Sequence, residues 1–388
     1  MSDDRPLAAL RVLDLSRLLP GPFATMMLAD MGAQVDKVED PGGGDYLRLM
    51  PPQVEGMNAV FHALGRGKRS LVLDLKKPEG RDALLRLLPR YDVMVESFRP
   101  GVLERLGLGW DTLHEAHPGL VVAAITGYGK DGPMAGRAGH DLNYLARAGV
   151  LGMTGPEDGP PQVPGVQMAD IGGGAMFALG GLLAALYARE RTGEGRYVDV
   201  SMCEGSLAFA TFGLMSRFGG MQTPRGGDVL MGGIAPYNTY ATKDGEAVTL
   251  GALEPKFWNA FCAGVGLEAD MSALAPGPHQ KEWKDKLTAI FAERTREQWI
   301  AFAEQHDCCL EPVLHPDEVT DDAQHRARGV FVKGPAEAGG LPQPRTPLGT
   351  PAEGARAPAQ GEHTREILGE AGFSDDEIEA LAGAGATK

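Results

Sequence analysis

Residues 11–38 read RVLDLSRLLPGPFATMMLADMGAQVDKV, and this stretch decides the fold class. Its apolar runs at 11–15 and 33–38 have the length and composition of buried strands, and the segment 23–31 between them is typical of a helix. Pro20-Gly-Pro22 precedes the helix, where proline is tolerated. A strand, a helix and a second strand in this order predict two neighbouring parallel strands.

The same alternation continues to residue 125. Strand-like runs follow at 70–75, 92–96 and 120–125, with a helical segment at 81–90. Short apolar strands separated by amphipathic helices predict an α/β protein with a mostly parallel sheet that helices cover on both faces. The carboxyl ends of such strands face a ligand crevice.

The pattern changes after residue 217, and it predicts two domains. We assign residues 1–217 to a large domain, residues 218–330 to a small domain with flanking linkers, and residues 331–388 to a C-terminal return that completes the large domain. Glycine pairs loosen the chain at the first boundary. The small domain has an α+β pattern, with a hairpin over 237–250 that turns at 243–245 and helices at 255–263, 281–293 and 296–306.

Charge and composition limit the classes of partner. The chain has 388 residues and a formal net charge of −15, which argues against binding to nucleic acid or to an anionic membrane. No run reaches the ~18 apolar residues of a membrane span, and the acidic start at residues 1–5 is unlike a secretory signal. The four cysteines lack metal-ligand spacing. We expect a cytoplasmic protein with free thiols, no metal and no nucleic-acid or membrane partner.

Three basic clusters lie in loops of the α/β half: Lys37, Arg66–Arg69 and Arg99–Gly101. On an acidic protein, cationic loops at strand ends are candidates for phosphate binding, and solvated loop charge is the alternative. Neither a P-loop motif nor a strand-linked GxGxxG is present. The phosphates would therefore belong to a ligand other than a typical mononucleotide or dinucleotide.

Two stretches offer acid–base chemistry, AGHDLNY at 138–144 and ADIGGG at 169–174. His140 can exchange a proton near neutral pH, although a lone histidine is more often structural. Asp170 fits a helix N-cap, and the glycine-rich helix start can also present bare N–H groups to an oxyanion. Glu254, before Pro255, can face a helix N-terminus or orient His140. The apolar segment 172–190 predicts a buried helix.

Several motifs together resemble the family III CoA-transferase superfamily, and within it the alpha-methylacyl-CoA racemases. They extend through nearly the whole chain: LPGPF at 19–23, LADMGA at 28–33, RGKRSLVLDL at 66–75, FRPG at 98–101, ERLG at 104–107, GHDLNY at 139–144, ADIGGG at 169–174, GALEP at 251–255 and GEHT at 361–364. One position departs from the pattern: Asp40 precedes Pro41, where racemases often carry a basic residue.

The resemblance implies an interlocked homodimer whose subunits each have a Rossmann-like large domain and a small domain. It implies an acyl-CoA substrate, with the CoA moiety as the only cofactor. His140 and Asp170 would be bases on opposite faces of the α-carbon, and Glu254, which can come from the other subunit, would lie beside His140. The residues expected to contact CoA are Lys37, Lys68, Leu73, Asp74, Leu75, Lys76, Arg99, Gly139, Asp141, Asn143 and Tyr144.

The implied activity is inversion of the α-carbon of a 2-methylacyl-CoA by proton transfer through an enolate, a reaction of lipid metabolism. The alternative is CoA transfer to a carboxylic acid, in which Asp170 forms an acyl anhydride and then an aspartyl-CoA thioester. Transferases of this family commonly lack a histidine at the position of His140, which favours proton transfer. A noncatalytic acyl-CoA-binding protein is a third possibility, and the acyl group stays open.

Overall fold

The computed structural model describes residues 5–388, so the acidic start at residues 1–4 lies outside the described residues. The chain forms two compact units. Unit 1 comprises the residues up to Ala148 together with Val166–Phe209 and Ala323–Lys388, and unit 2 comprises Gly149–Gly165 and Ala210–Asp322. The boundaries therefore fall at 209 and 322 instead of the predicted 217 and 330, and residues 149–165 join the second unit.

Unit 1 contains a six-stranded sheet whose neighbouring strands are all parallel. Its strands, numbered along the whole chain, are β1 (Arg11–Asp14), β2 (Gln34–Glu39), β5 (Lys68–Val72), β6 (Val93–Glu96), β7 (Val121–Thr126) and β8 (Tyr197–Ser201). They lie in the order β5-β2-β1-β6-β7-β8, the Rossmann arrangement, whose strand order reverses between β1 and β6. The predicted α/β class with a parallel sheet is confirmed.

Helices and one short hairpin complete unit 1. The hairpin strands are β3 (Gln53–Val54) and β4 (Met57–Asn58), and a π-helix over Met168–Met176 runs into α8. The α-helices are α1 (Pro20–Asp30), α2 (Ala59–Leu64), α3 (Pro78–Leu87), α4 (Val102–Arg105), α5 (Trp110–Ala116), α6 (Asp141–Arg147), α8 (Phe177–Thr192), α9 (Met202–Phe209), α14 (Ala323–Ala327), α15 (Thr364–Glu370) and α16 (Asp375–Gly383). A further short pair joins β12 (Phe331–Lys333) and β13 (Pro342–Pro344).

Strand residues at the centre of the sheet are almost fully buried, among them Val12, Leu13, Val93 and Ala123. This is the expected state of parallel strands that are covered on both faces. The same strands also carry buried charges at their carboxyl ends. A buried charge is costly without a partner. Whether each of these charges is paired therefore indicates whether the residue is structural or available for chemistry.

The π-helix and α8 differ from the predicted buried helix. Ala178, Leu179 and Leu182 are buried and α8 packs on β7 and β8, but Phe177 is 44% exposed and Tyr187 is 67% exposed. The segment Met168–Thr192 is also long and apolar enough to cross a membrane, judged by length and composition alone. The expectation that no segment reaches that length is therefore wrong, although this helix covers the sheet of unit 1.

The C-terminal return closes the edge of the sheet at β5. The Ser70 N–H donates to Nδ1 of His363 at 3.2 Å, and the Val72 N–H donates to Oγ1 of Thr364 at 3.1 Å. The Thr387 hydroxyl donates to the Val72 carbonyl at 2.6 Å. Backbone groups that an edge strand would otherwise leave unpaired are thereby satisfied.

Unit 2 has the predicted α+β pattern. An antiparallel sheet in the order β11-β10-β9 packs against an aromatic core that includes Trp258, Phe261, Phe291 and Trp299. The four cysteines of the chain are free, as predicted. The elements are α7 (Val150–Met153), α10 (Thr211–Phe218), β9 (Tyr237–Ala241), β10 (Ala247–Gly251), α11 (Pro255–Val265), α12 (Gln280–Phe291), α13 (Arg296–Gln305) and β11 (Leu310–Pro312).

Candidate active site

A cleft of about 340 Å³ opens at the carboxyl ends of β1, β6 and β7. It lies where the strand order of the sheet reverses, the position at which open α/β sheets bind ligands. Its walls are the loops that follow these strands, together with residues of α6, α9 and the π-helix. The lining residues with functional groups are Arg17, Tyr46, Ser97, Arg99, Thr126, Arg137, His140, Tyr144 and Asp170.

Asp170 lies near the start of the π-helix and lines this cleft. Its carboxylate has no hydrogen bond or ion pair with any residue of the described part of the chain. Burial raises the pKa of Asp170 to about 6, and the negative charge of Asp141 adds to the effect. A carboxyl group with this pKa can both take up and release a proton near neutral pH.

Asp141 connects the two stretches that carry the candidate bases. Its Oδ1 accepts the N–H of Ala169 at 2.7 Å and the N–H of Asp170 at 2.9 Å. The Ile171 N–H donates to the Gln167 carbonyl at 3.0 Å. The predicted bare donors at the glycine-rich helix start are therefore already paired at these three residues, and Asp141 acts there as a cap.

His140 precedes α6 and is exposed in the cleft wall. Its backbone N–H donates to Oδ1 of Asn143 at 3.0 Å, and its carbonyl accepts the Asn143 N–H at 2.8 Å. Asn143 therefore fixes the backbone of His140, a local role that differs from the CoA contact implied by the resemblance. His140 and Asp170 lie in one cleft, as the sequence predicted.

Tyr144 supports the turn that carries His140. Its hydroxyl donates to the Gly139 carbonyl at 2.5 Å, and its ring packs so closely that a Cβ at Gly127 would lie 2.5 Å from a ring carbon. Burial, with a contribution from Asp170, raises the pKa of Tyr144 to about 12. The phenol therefore stays protonated and keeps donating to Gly139 across the physiological range.

The glycines after Asp170 allow the π-helix to approach α9. A Cβ at Gly205 would lie 2.1 Å from the Gly173 carbonyl oxygen, and one at Gly174 would lie 2.9 Å from Cγ of Met202. Because the contact at Gly205 is with backbone, only glycine fits there without a backbone shift. π-helical turns are frequent at functional sites, and here the close packing fixes the turn that presents Asp170.

Lys37 and Lys68 are buried and paired with carboxylates, and neither lines the cleft; their contact with the CoA phosphates stays a prediction. The Lys37 ammonium lies 3.1 Å from Asp45, and the Lys68 ammonium lies 3.1 Å from Asp14; their side chains are 2% and 0% exposed. The physical reason is their position on strands covered on both faces, where a charge must be paired. Arg66 is likewise buried against Asp30 at 2.6 Å.

The pKa values show how strongly these buried groups interact. Although burial alone would raise it, Lys68 and Lys37 hold the pKa of Asp14 well below its usual range. Burial lowers the pKa of Lys68 to about 8 against the attraction of Asp14. Together with Asp45 these residues form the ionic network, a set of mutually paired charges beneath the cleft.

The ionic network anchors the loop that carries Arg17. Lys37 donates to the Ser16 carbonyl at 2.7 Å, and the Leu18 N–H points at the Asp45 carboxylate at 3.2 Å. Leu18 itself has a φ of 62°, a conformation that non-glycine residues rarely adopt. Arg17 is thereby held in the cleft lining with a 44% exposed side chain.

Three arginines of the cleft lining are accessible to a ligand. Arg17 has a distant partner, Asp40, at 3.7 Å, whereas Arg99 and Arg137 form no ion pair with any described residue. The sequence predicted Arg99 and missed Arg17 and Arg137. The position of Arg17, three residues after the end of β1, was a usable signal because loops at the carboxyl ends of parallel strands line ligand crevices.

The predicted nucleotide-binding residues Leu73–Lys76 do not line this cleft. They form the loop after β5, where Leu73 is buried and the Asp74 N–H donates to the Ala386 carbonyl at 2.8 Å. The structure thus places them at the same edge of the sheet as the cleft, beneath the C-terminal segment. Their contact with CoA stays a prediction.

Glu254 belongs to unit 2. It is exposed and lies directly before α11, and its carbonyl accepts the Phe257 N–H at 3.0 Å. Its side chain does not cap the helix, which removes the simplest local role for this carboxylate. Its approach to His140 stays a prediction.

The sequence profile described as CoA-transferase family III matches residues 7–364. The chain belongs to this family of CoA-thioester enzymes, as its motifs indicated. It is 40% identical over 383 residues to alpha-methylacyl-CoA racemase of Homo sapiens, with 97% of this chain and 96% of the relative covered. It is also 34% identical over 379 residues to succinyl-CoA:glutarate CoA-transferase of Mus musculus, with 94% and 86% covered.

Solved structures agree with the fold. A CAIB/BAIF family protein from Brucella suis superimposes with a TM-score of 0.82 at 31% identity, covering 95% of this chain and all of that chain. The chain is therefore similar in sequence to both racemases and transferases, and the groups in the cleft must distinguish the two activities.

Proposed function

We infer that the protein is an acyl-CoA racemase that inverts the α-carbon of a 2-methylacyl-CoA thioester. The observation that carries this inference is the presence of His140 and Asp170 in one cleft, with the Asp170 carboxylate free of hydrogen-bond partners among residues 5–388. A structural N-cap would be engaged with its helix. The similarity to racemases over nearly the full chain supports the same activity.

The two bases account for inversion. One base removes the α-proton from one face of the α-carbon, the electron pair moves into the thioester carbonyl to form an enolate, and the conjugate acid on the other face returns a proton to carbon. Because the pKa of Asp170 is about 6, its protonated and ionised forms are both populated near neutral pH. Each epimer therefore has a productive protonation state.

Positive charge in the cleft suits both the enolate and the CoA moiety. Arg99 lines the cleft with the two bases and without an ion-pair partner in the described chain, so its guanidinium can stabilise an oxyanion or bind phosphate. Arg17 and Arg137 extend this charge along the cleft. These three arginines are exposed, whereas Lys37 and Lys68 are buried in the ionic network.

The proposal includes a cytoplasmic homodimer in which Glu254 approaches the His140 of the other subunit. Exposed apolar side chains on consecutive helices support a second copy as the partner, since a monomer rarely leaves such patches uncovered. These side chains are Phe177, Tyr187, Leu207 and Phe209 in unit 1, and Phe212, Met215 and Phe218 in unit 2.

Mixing two inactive variants tests this arrangement. If the site combines subunits, a heterodimer of His140→Ala and Glu254→Ala subunits contains one site with both residues, and mixing should restore part of the activity. If both residues act within one chain, every site in the mixture lacks one of them. Absence of restored activity in verified heterodimers would then contradict the shared site.

Exchange with heavy water tests the activity itself. The experiment starts from a single epimer of a 2-methylacyl-CoA in heavy water. The wild-type protein should incorporate one deuterium at the α-carbon while the substrate racemises. His140→Gln should abolish racemisation, whereas Asp111→Asn, an exposed position on α5, should leave it unchanged. Transfer of CoA to an added carboxylic acid without deuterium incorporation would instead establish the transferase.

A further inference from the structure

A second cavity, of about 400 Å³, lies beside the active-site cleft at the carboxyl ends of β6, β7 and β8. The two share the segment Phe98–Pro100 and Thr126 as a common wall. Nothing in the proposed racemase reaction uses this second cavity. We call it the β8 cavity.

A buried carboxyl group lies in the wall of the β8 cavity. Glu96, the last residue of β6, is 5% exposed, and its Oε2 accepts the Phe98 N–H at 2.6 Å. Its Oε1 has no hydrogen-bond partner among residues 5–388. Burial, with contributions from Glu104 and Asp199, raises the pKa of Glu96 to about 8.

Further carboxylates line the same cavity without an ion-pair partner among the described residues. Glu104, Asp131 and Asp199 all face it, and none of them forms an ion pair within the described residues. Among residues 5–388, the Asp199 carboxylate accepts only the backbone N–H of Lys130, at 3.2 Å. Other buried carboxylates of unit 1, such as Asp14 and Asp30, are paired with lysine or arginine, whereas Arg99 and Lys130, which also line this cavity, form no ion pair with its carboxylates.

Aromatic and aliphatic side chains form the rest of the wall. Trp110 and Tyr197 meet edge to face with ring centroids 5.9 Å apart, and Leu113 is buried beside them. The Lys130 ammonium already lies 5.3 Å from the Tyr197 ring centroid. The site thus accommodates an ammonium group over an aromatic ring, a favourable cation–π geometry.

The arrangement selects among cations. In the described part of the chain, no group of three acidic, histidine or cysteine side chains is placed to hold a metal ion, so an organic cation is the better fit. Such a cation can reach several of the carboxylates, and its methylene groups can cover the apolar wall. We propose that the β8 cavity binds an aliphatic amine with ammonium groups at both ends of a short alkyl chain.

Binding of such an amine should change the protonation of Glu96. A nearby positive charge favours the carboxylate, so the pKa of Glu96 falls and a proton is released to solvent near neutral pH. The charged and titratable groups that face Glu96 or line the same cavity are Arg99 from the loop after β6, Glu104 from α4, Lys130 and Asp131 from the loop after β7, and Tyr197 and Asp199 from β8.

Titration calorimetry with 1,4-diaminobutane tests the proposal on the full-length protein. Binding should be measurable, and its heat should depend on the ionisation heat of the buffer because a proton is released. Glu96→Gln should weaken binding about tenfold and remove the buffer dependence, since a hydrogen bond to a charged group is lost. Glu282→Gln, at an exposed position of unit 2, should bind like the wild type, and 1,4-butanediol should not bind.

A second variant tests the proposal even if Glu96→Gln does not fold. Lys130→Met removes the ammonium that lies over Tyr197 and should tighten diamine binding, because the ligand no longer displaces it. The proposal is overturned if the diamine gives no binding heat. It is also overturned if Lys130→Met fails to tighten binding, or if folded Glu96→Gln binds the diamine as the wild type does, since the amine would then bind elsewhere.

Discussion

Buried charged side chains differ in pairing between two regions of the sheet. One region is the carboxyl ends of β1 and β2, and the other is the carboxyl ends of β6 and β7. Beneath the first pair, Asp14, Lys37, Asp45 and Lys68 are buried and paired with one another. Around the second pair of strands, Asp170 and Glu96 form no ion pair within the part of the chain that the structure describes, and burial raises the pKa of each. Paired charges stabilise the sheet and its loops, whereas unpaired ones can exchange protons with a ligand.

The largest expected effect is on the unpaired side. Asp170→Asn keeps the size of the side chain but cannot accept a proton, so the rate of α-deuterium exchange should fall about a thousandfold. Circular dichroism and the urea midpoint should stay those of the wild type, because the Asp170 side chain makes no hydrogen bond with any described residue. Unchanged exchange in a folded Asp170→Asn protein would return Asp170 to a structural role.

On the paired side, the expected loss is in stability. Lys68→Met leaves the Asp14 carboxylate buried with one fewer cation, which should lower the free energy of unfolding by about 3 kcal/mol or more. Arg81→Met breaks an exposed pair with Asp82 and should cost less than about 1 kcal/mol. Urea unfolding of both variants checks the contrast. Equal losses would show that the ionic network has no special role.

The pH dependence of catalysis tests whether the unpaired Asp170 titrates as the catalytic base. Because burial raises the pKa of Asp170, its carboxylate form is lost as the pH falls through about 6, and the rate limited by this base should drop about tenfold per unit below that point. Asp141→Asn keeps an acceptor for the helix N–H groups but removes a negative charge. Its kcat/KM profile should therefore shift to lower pH, and an unshifted profile would contradict the assignment.

The smallest expected effect is that of Arg17, the cleft arginine whose carboxylate partner, Asp40, lies 3.7 Å away. Arg17→Gln should raise KM for the acyl-CoA a few-fold with little change in kcat, since an exposed ionic contact contributes about 1 kcal/mol or less. Asp40→Asn removes the competing carboxylate at 3.7 Å and should lower KM. Steady-state kinetics at low salt measures both. A matching fall in kcat for Arg17→Gln would place Arg17 at the reacting atoms instead.

The sheet and the cleft could be predicted from the sequence because strand length and apolar pattern report burial directly. The runs at 11–15, 33–38, 70–75, 92–96 and 120–125 anticipate β1, β2, β5, β6 and β7, and His140 and Asp170 line one cleft. The hairpin of unit 2 turns at Gly245, which has the positive φ of 81° that such a turn needs.

The partners of the lysines could not be predicted in the same way, because pairing depends on side chains distant in sequence. Asp14 and Lys68 are 54 residues apart. A partial signal existed: Lys37 lies within a strand of a parallel sheet, where a charge is expected to be buried and therefore paired. The assignment of residues 149–165 to unit 2 could not be predicted from the sequence. A loop rich in proline and glycine is compatible with either unit.

The cap formed by Asp141 has a consequence for the spacing of the two bases. The chain leaves unit 1 after Ala148 and returns at Val166, yet the carboxylate of Asp141, next to His140, holds the backbone of Asp170 directly. The length of the intervening segment therefore does not set the distance between the bases. Insertions and substitutions within residues 149–165 can accumulate, or be engineered, while the proton-transfer geometry is inherited unchanged.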